Sequence, residues 1–515
     1  MSTANRVLKN TLILYAKTGV TMFLSLYTTR VVLRELGADG FGVFVLIGGI
    51  IAMFGFLNGS MAAATQRFMS YAHGKEDDHE QQDIFSISLV LHSAVAVIAV
   101  LLLLSIGPLL FAHVLKIDAA HLETARILYN VVALSVIFPV LAVPYQAVII
   151  ARENMLMLAL VGFLESLLKF GVAIYITHAS GDKLLIYGIL MAAIPAILLL
   201  TQGLVCHARY TECRFGLTGI RNRRLTREML SFGGWSFLGS ATTFITQNGR
   251  GIVLNSFFGT TVNTAQGISN QISGQLSVLA QSLDRALNPA IVKCEGAGQR
   301  DRMLRLVMTG TKLTFSLKAV VIIPVIIEMP LLFSIWLVDV PEYAIAFTRI
   351  YLIQNLIETY SVGLSVALTA VGKIKGYSIV SSAVYSLALP LSIVAFLIGF
   401  EPESIYLIFV ANALLLCGVQ IYYGHKFCHL NPMKYLMNVP LRTGAAFVAS
   451  VLFGFLIPTL NFRPIINSGL VVIASTSVFL LIFSCLVLDS NERQIIKSAL
   501  LAGKGRLLSV FKSMI

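Results

Sequence analysis

IFSISLVLHSAVAVIAVLLLLSIGPLLFA, residues 84–112, contains no Asp, Glu, Lys or Arg. A hydrocarbon core about 30 Å thick is crossed by roughly 20 apolar helical residues, so this stretch reads as a transmembrane helix. Runs of the same kind recur from about residue 9 to about residue 489, and the reading yields about fourteen of them. Composition agrees: 57% of the 515 residues are hydrophobic, 12% are charged and the mean hydropathy is +0.83. The runs are long and do not alternate polar with apolar, which favours helices, because a helix satisfies its backbone polar groups internally. The expected fold is an all-α integral membrane protein of about 14 transmembrane helices, two pseudo-symmetric six-helix lobes plus two C-terminal helices.

A net charge of +13 and a pI near 9.5 raise the question of nucleic acid. The placement of the basic residues answers it. With the N-terminus cytoplasmic, most of the 38 Lys and Arg fall on inside segments such as "RFGLTGIRNRRLTRE", "GQRDRMLR" and "NERQIIKSALLAGKGRLLSVFK". Short outside connections such as "VDVPE" and "FEPES" are acidic or neutral. This is the positive-inside pattern, and an even number of spans puts both termini in the cytoplasm. The charge therefore orients the protein in a membrane and does not call for nucleic acid.

The opening "MSTANRVLKN" leads into a span too long for the core of a cleavable signal, so the first helix is expected to stay. Reduced thiols are the default for the six cysteines, of which four lie on or near the cytoplasmic side. "HKFCH" at 425–429 carries metal-type ligands but reads as polar residues closing a helix. No G-x-x-x-x-G-K-[ST] occurs, and "HGKEDDHEQQD" reads as a solvated loop. No enzyme, cofactor or resident metal is expected.

Two spans carry the polar chemistry. In the seventh, residues 229–258, Ser236, Ser240, Thr243, Gln247 and Arg250 fall within roughly 80° around a helix. In the first, Lys17, Thr21, Ser25 and Thr28 do the same. Aligning Thr21 with Thr243 also lays Ser25 on Gln247 and Thr28 on Arg250, a repeat that implies two lobes related by an axis along the membrane normal. The lobes are then 1–206 and 229–425, joined by a basic cytoplasmic linker at 207–228 and followed by two helices within 426–489 and a cytoplasmic tail at 490–515. The eighth span adds Asn263, Gln266, Asn270, Ser277, Gln281 and Asp284 within roughly 60°. Polar groups at membrane depth face a bundle interior or a water-filled cavity, or bond neighbouring helices.

Buried charges sort by depth. Arg126 and Arg349 near outer ends and Lys312 near an inner end fit snorkelling. Asp284 and Arg285 lie near the inner end of the eighth span. Glu165 and Lys169, four residues apart, suit a mutual pair or a relay. Lys17 and Arg250, with Lys318 behind them, are candidates to meet an anion. Glu358 and Glu328 lack local partners in the sequence and join Glu165 and Lys169 as candidates for ion coupling. A guanidinium in a semi-dry cleft matches phosphate oxygens, while Gln and Asn bond sugar hydroxyls, so a phosphorylated glycan headgroup is the ligand class suggested.

"NTLILYAKTGVTMFLSLYTTRVVLRELGADGFGVF", "LNGSMAAATQRFMSYAHGK", "IWLVDVPEYAIAFTRIYLI" and "LTAVGKIKGYSIV" resemble the Wzx-type polysaccharide repeat-unit flippases, within the superfamily that includes multidrug and toxin extrusion transporters and lipid II flippases. The resemblance implies export of an undecaprenyl-pyrophosphate-linked oligosaccharide across a bacterial inner membrane by alternating access, for O-antigen, capsule or exopolysaccharide assembly. Partners implied are this lipid-linked oligosaccharide, membrane lipids, a coupling proton or sodium ion, and polysaccharide polymerase and glycosyltransferases. Lys17, Arg250, Gln247, Gln266, Asn270, Gln281 and Lys318 are the expected substrate contacts. A cation-coupled multidrug antiporter and a non-transporting membrane scaffold are the alternative readings; basic rather than acidic stripes argue against the first, and continuous polar stripes against the second.

Overall fold

A computed structural model describes residues 3–53, 62, 65–70, 72–73, 77–152, 154–213, 222–372, 374–457, 464–489 and 492–494, except for the side chains of 3–18, 231–240 and some further helical positions. The described residues form helices joined by short connections, with no strand among them. Among the described residues, ten helices are long and apolar enough to cross a membrane. This is a multi-pass membrane protein.

The first compact unit comprises residues 1–267 and 336–342. Helix α1, Thr3–Ala52, is two helices joined at Gly37, whose φ of 70° and ψ of 176° turn the chain. That conformation suits a residue without a Cβ. Helix α2, Asp78–His113, is capped by the Asp77 carboxylate, which accepts from the Glu80 amide at 2.9 Å. Helices α3, Ala119–Ser135, and α4, Ile137–Ala151, form one span broken at Val136. Pro139 explains the break, because it has no N–H for the Ser135 carbonyl one turn earlier. Helix α5, Met155–His178, packs on α1, and α6, Lys183–Arg209, packs on α3, α4 and α5. Helix α7, Arg223–Phe258, packs on α1 and ends at Gly259, whose φ is 83°. Helix α8, Thr260–Gly296, begins in this unit and runs into the second. By its contacts α7 groups with the helices of the first half.

The second unit comprises residues 268–335 and 343–515. Its centre is α9, Arg300–Ile327, one of the most buried helices, against which α11, Ala344–Val371, packs. A short α10, Met329–Trp336, follows α9. Helices α12, Ile374–Ser386, and α13, Ala388–Ile398, form a second broken span, where Asn412 of α14, Ser404–Cys428, donates to the Val384 carbonyl at 2.6 Å. Helices α15, Pro432–Asn438, α16, Pro440–Leu456, and α17, Pro464–Ile482, complete the unit, with α16 and α17 both against α9. His429 closes α14 in the left-handed conformation at φ 59°, and His425 Nδ1 bonds the Leu430 carbonyl at 2.9 Å. "HKFCH" therefore ends a helix.

Helices α7, α8 and α11, at 36, 37 and 28 residues, have the length of a span but do not join the ten most apolar ones. Polar side chains lower their hydropathy. Those helices carry several of the candidate polar residues.

Candidate translocation site

In the first unit the seventh-span stripe divides between exposed and buried positions. Gln247 is exposed, whereas Arg250 is only 2% exposed and is among the largest fully buried side chains of the protein. Gly251 lets α8 approach α7 closely: a Cβ there would stand 2.8 Å from Gln266 Oε1. Asn263 Nδ2 donates to the Gly251 carbonyl at 2.9 Å and to Gln266 Oε1 at 3.2 Å. Gln266 is itself buried. Asn263 and Gln266 thus join two helices, while Gln247 offers an amide to the outside of the packed interior. Lys17 lies on α1, and its side chain is outside the described residues.

Glu165 and Lys169 do pair, with Lys169 Nζ 2.6 Å from Glu165 Oε1. Both are part exposed and line a cavity of about 210 Å³ with Ser135, Gly48, Met191 and Pro195. At about 30 Å³ of liquid volume per water, that is room for several waters around an ion pair at membrane depth. The same unit holds an ion pair outside the spans. Arg152 grips Glu212 through two bonds, Nε to Oε1 at 2.7 Å and Nη2 to Oε2 at 2.9 Å. Burial by itself pushes the Glu212 carboxyl up, but the Arg152 bonds hold it below the ordinary carboxylate range.

In the second unit Lys318 is already engaged. Its Nζ donates to the Asn355 carbonyl at 3.1 Å and to Thr359 Oγ1 at 3.0 Å. Asp284 accepts from Thr314 Oγ1 at 3.0 Å, and Glu358 accepts from Gln354 Nε2 at 2.7 Å. In this conformation the Lys318 ammonium is occupied by a carbonyl and a hydroxyl of α11. Asn270 of α8 is exposed, and the Gln281 side chain lies outside the described residues. Ser277 donates to the Ser273 carbonyl at 2.9 Å and to Asn355 Oδ1 at 3.5 Å. The pattern "QNLIET" at 354–359 was the available signal for Gln354, Asn355 and Thr359, since it puts polar groups at i, i+1, i+4 and i+5 of an apolar span.

Three charges have partners that sequence spacing did not reveal. Glu328 accepts from Ser468 Oγ at 2.8 Å, across 140 residues. Lys312 does not snorkel: it is 1% exposed, with its Nζ 2.9 Å from Glu492 Oε2 and 3.6 Å from Asp489 Oδ2. Arg349 does not simply reach for water either, because its Nε donates to the Ile326 carbonyl at 3.0 Å. Among the described residues no group of three or more His, Cys, Asp or Glu is placed to hold a metal.

Residues 7–330 match the family described as "Polysaccharide biosynthesis protein", well over half of the chain. The chain belongs to the polysaccharide biosynthesis protein family. No curated protein matches this family member in sequence. Its fold is shared with solved transporters. A multidrug-resistance MATE-family transporter of the MOP superfamily, in an inward-facing conformation, superposes with a TM-score of 0.69 at 13% identity, covering 79% of this chain and 94% of that one. The lipid II flippase MurJ, in an inward closed conformation, gives 0.65 at 11% identity, covering 92% and 98%. A MOP-superfamily transporter from Pyrococcus furiosus, described as having a binding pocket of reverse polarity, gives 0.56 at 12% identity, covering 80% and 95%. At these identities the likeness establishes the fold of the polysaccharide biosynthesis protein and no more.

Proposed function

We propose that the protein flips an undecaprenyl-pyrophosphate-linked oligosaccharide repeat unit from the cytoplasmic to the outer leaflet of a bacterial inner membrane, for surface polysaccharide assembly. Membership of the polysaccharide biosynthesis family carries this reading. The fold shared with a lipid II flippase supports movement of a lipid-linked sugar, as opposed to its synthesis. Polar and basic groups at membrane depth support a hydrophilic headgroup as cargo, with Arg250 and Lys17 toward phosphate and Gln247, Gln266, Asn270 and Gln281 toward sugar hydroxyls. Arg250 is buried, so its meeting with phosphate belongs to a rearranged state. Both termini are cytoplasmic in this reading, and alternating access of two six-helix lobes moves the headgroup while the lipid tail stays in the bilayer. Glu358, Glu328, Glu165 and Lys169 are the candidates for coupling to a proton or sodium gradient.

Depletion of the protein tests the function. Accumulation of one cytoplasmic-facing pyrophosphate-linked oligosaccharide, with loss of the surface polymer, is the expected result, and its mass identifies the cargo. Unchanged lipid-linked sugars in cells without a second flippase would point instead to drug or cation transport. Within the site, Arg250→Ala should reduce export at least about tenfold, the equivalent of about 1.4 kcal/mol, at normal protein abundance. Arg126→Ala, at an exposed position, should leave export near normal. Equal export by both would remove Arg250 from the site.

A further inference from the structure

At one end of the first unit, two parts of the chain far apart in sequence close on each other through a built seam. Asn255, 0% exposed in the last turn of α7, holds both backbone groups of Lys116 in the connection between α2 and α3. Its Nδ2 donates to the Lys116 carbonyl at 3.0 Å, and its Oδ1 accepts from the Lys116 amide at 2.8 Å. Lys116 Nζ returns the contact, donating to the Phe257 carbonyl at 3.1 Å. Beside this clasp, Asp39 accepts from Thr261 Oγ1 at 2.8 Å and Thr260 Oγ1 at 3.3 Å, just past the Gly37 corner of α1. Thr264 donates to the Ala38 carbonyl.

Two glycines let the backbones meet. A Cβ on Gly42 would stand 2.1 Å from the Thr260 carbonyl oxygen, and one on Gly267 would stand 2.6 Å from Val45 Cγ2. Contacts below 3.0 Å with backbone cannot be relieved by a rotamer change. The seam therefore closes only if position 42 lacks a side chain.

We propose that this seam is the outer gate of the translocation path. It joins the seventh and eighth spans to the Gly37 corner and the 114–118 connection, which the charge pattern places on the external side. The α7–α8 hairpin leaves this corner each time the path opens outward, and the Asn255 and Asp39 bonds reform when it closes. A few hydrogen bonds suit this use, since each adds only about 0.5–1.5 kcal/mol net and water can replace it on opening. A closed state held by a few such bonds and one close glycine contact is reversible. The assignment rests on the alternating-access reading above, but the distance measurements that test it do not need the cargo.

Spin labels at Ala120 and Phe258, flanking the seam, report the opening in purified protein carrying Cys485→Ser; the other five natural cysteines are buried. The wild-type seam should give a dominant short distance. Gly42→Ala should add a longer-distance population in protein that still unfolds cooperatively, the helix-propensity gain of about 1 kcal/mol offsetting part of the cost of the lost contact. Asn255→Ala, which removes two bonds and adds no bulk, should shift the distances in the same direction. A reductant-cleavable thiol cross-link between Asp39→Cys and Thr261→Cys should abolish export, and reduction should restore it. Folded Gly42→Ala and Asn255→Ala proteins with wild-type distances would overturn the gate. So would undiminished export by the cross-linked protein while cargo flipping is otherwise demonstrated. Shifted distances in a protein that moves no lipid-linked sugar would uphold the gate and sink the flippase reading.

Discussion

Arg349 supplies the hydrogen bond that Pro330 withholds. The Ile326 carbonyl, four residues before Pro330, accepts from Arg349 Nε at 3.0 Å, where an ordinary helix would use the N–H of residue 330. Glu328 ends α9 at this interruption, and α10 starts a residue later. A carbonyl stranded in an apolar setting costs about 1–3 kcal/mol. Arg349→Met should therefore lower the thermal midpoint of the purified protein by about that free energy. Arg349→Lys should recover part of it, and Pro330→Ala should reduce the penalty by letting the backbone make its own bond. An unshifted midpoint in Arg349→Met would mean that the carbonyl finds another donor.

The Arg152–Glu212 pair predicts a pH dependence of known sign. The folded protein holds the Glu212 carboxyl below its ordinary value, so the pair's contribution is fully present above the unfolded-state value, near 4.3, and is lost as pH falls through the lower folded value. Glu212 is 1% exposed and the Arg152 side chain 32% exposed, so the effect lies below the roughly 3–5 kcal/mol of a fully buried pair. Arg152→Ala should cost about 1–3 kcal/mol at pH 7 and much less at the acid end. Denaturation curves of wild type and variant across pH 3 to 7 check this: parallel curves would show that the pair contributes nothing through ionisation.

The membrane fold was legible because it rests on composition over long windows, and residues 84–112 declare a helix whatever surrounds them. Several charges were legible in type but not in role. Lys312 meets Glu492, Glu328 meets Ser468 and Arg349 meets Ile326, and none of these partners lies within helical spacing of the other. Glu165 and Lys169 sit four residues apart, so their pairing could be read from local spacing. The stripes of α7 and α8 were visible by periodicity, but periodicity does not separate Asn263, which bonds a neighbouring backbone, from Asn270, which is exposed. Glycine roles such as that of Gly42 depend on the helix opposite, and no feature of "ELGADGFGVF" announces it.

Lys312 and Glu492 should behave as one unit. The ammonium is 1% exposed, while the carboxylate also accepts from Thr309 Oγ1 at 2.6 Å and from the Asp489 amide at 2.9 Å. Glu492→Gln leaves a buried cation with the largely exposed Asp489 as its remaining acid and should destabilise by about 2–4 kcal/mol. Lys312→Met combined with Glu492→Gln should cost less than Glu492→Gln alone. A double-mutant cycle on thermal or denaturant unfolding gives the coupling, and a value near zero would place the anchoring of this segment elsewhere.

Glu165 and Lys169 allow the two roles of a membrane-depth ion pair to be separated. As a purely structural pair they need each other, so Glu165→Gln and Lys169→Met should each impair abundance or export, and the double variant should recover both. As a relay, Glu165 must release and accept a proton beside the 210 Å³ cavity while Lys169 holds its charge. Glu165→Gln would then block coupled export with normal abundance, and the double variant would stay blocked. The cavity favours the relay, since a pair needed only for packing gains nothing from adjoining space. We expect export by Glu165→Gln, Lys169→Met and the double variant to be low, at wild-type abundance, and residual export by Glu165→Gln to ignore collapse of the pH gradient that stops wild type. Full recovery in the double variant would assign the pair to structure and leave Glu358 and Glu328 as the coupling carboxylates to test.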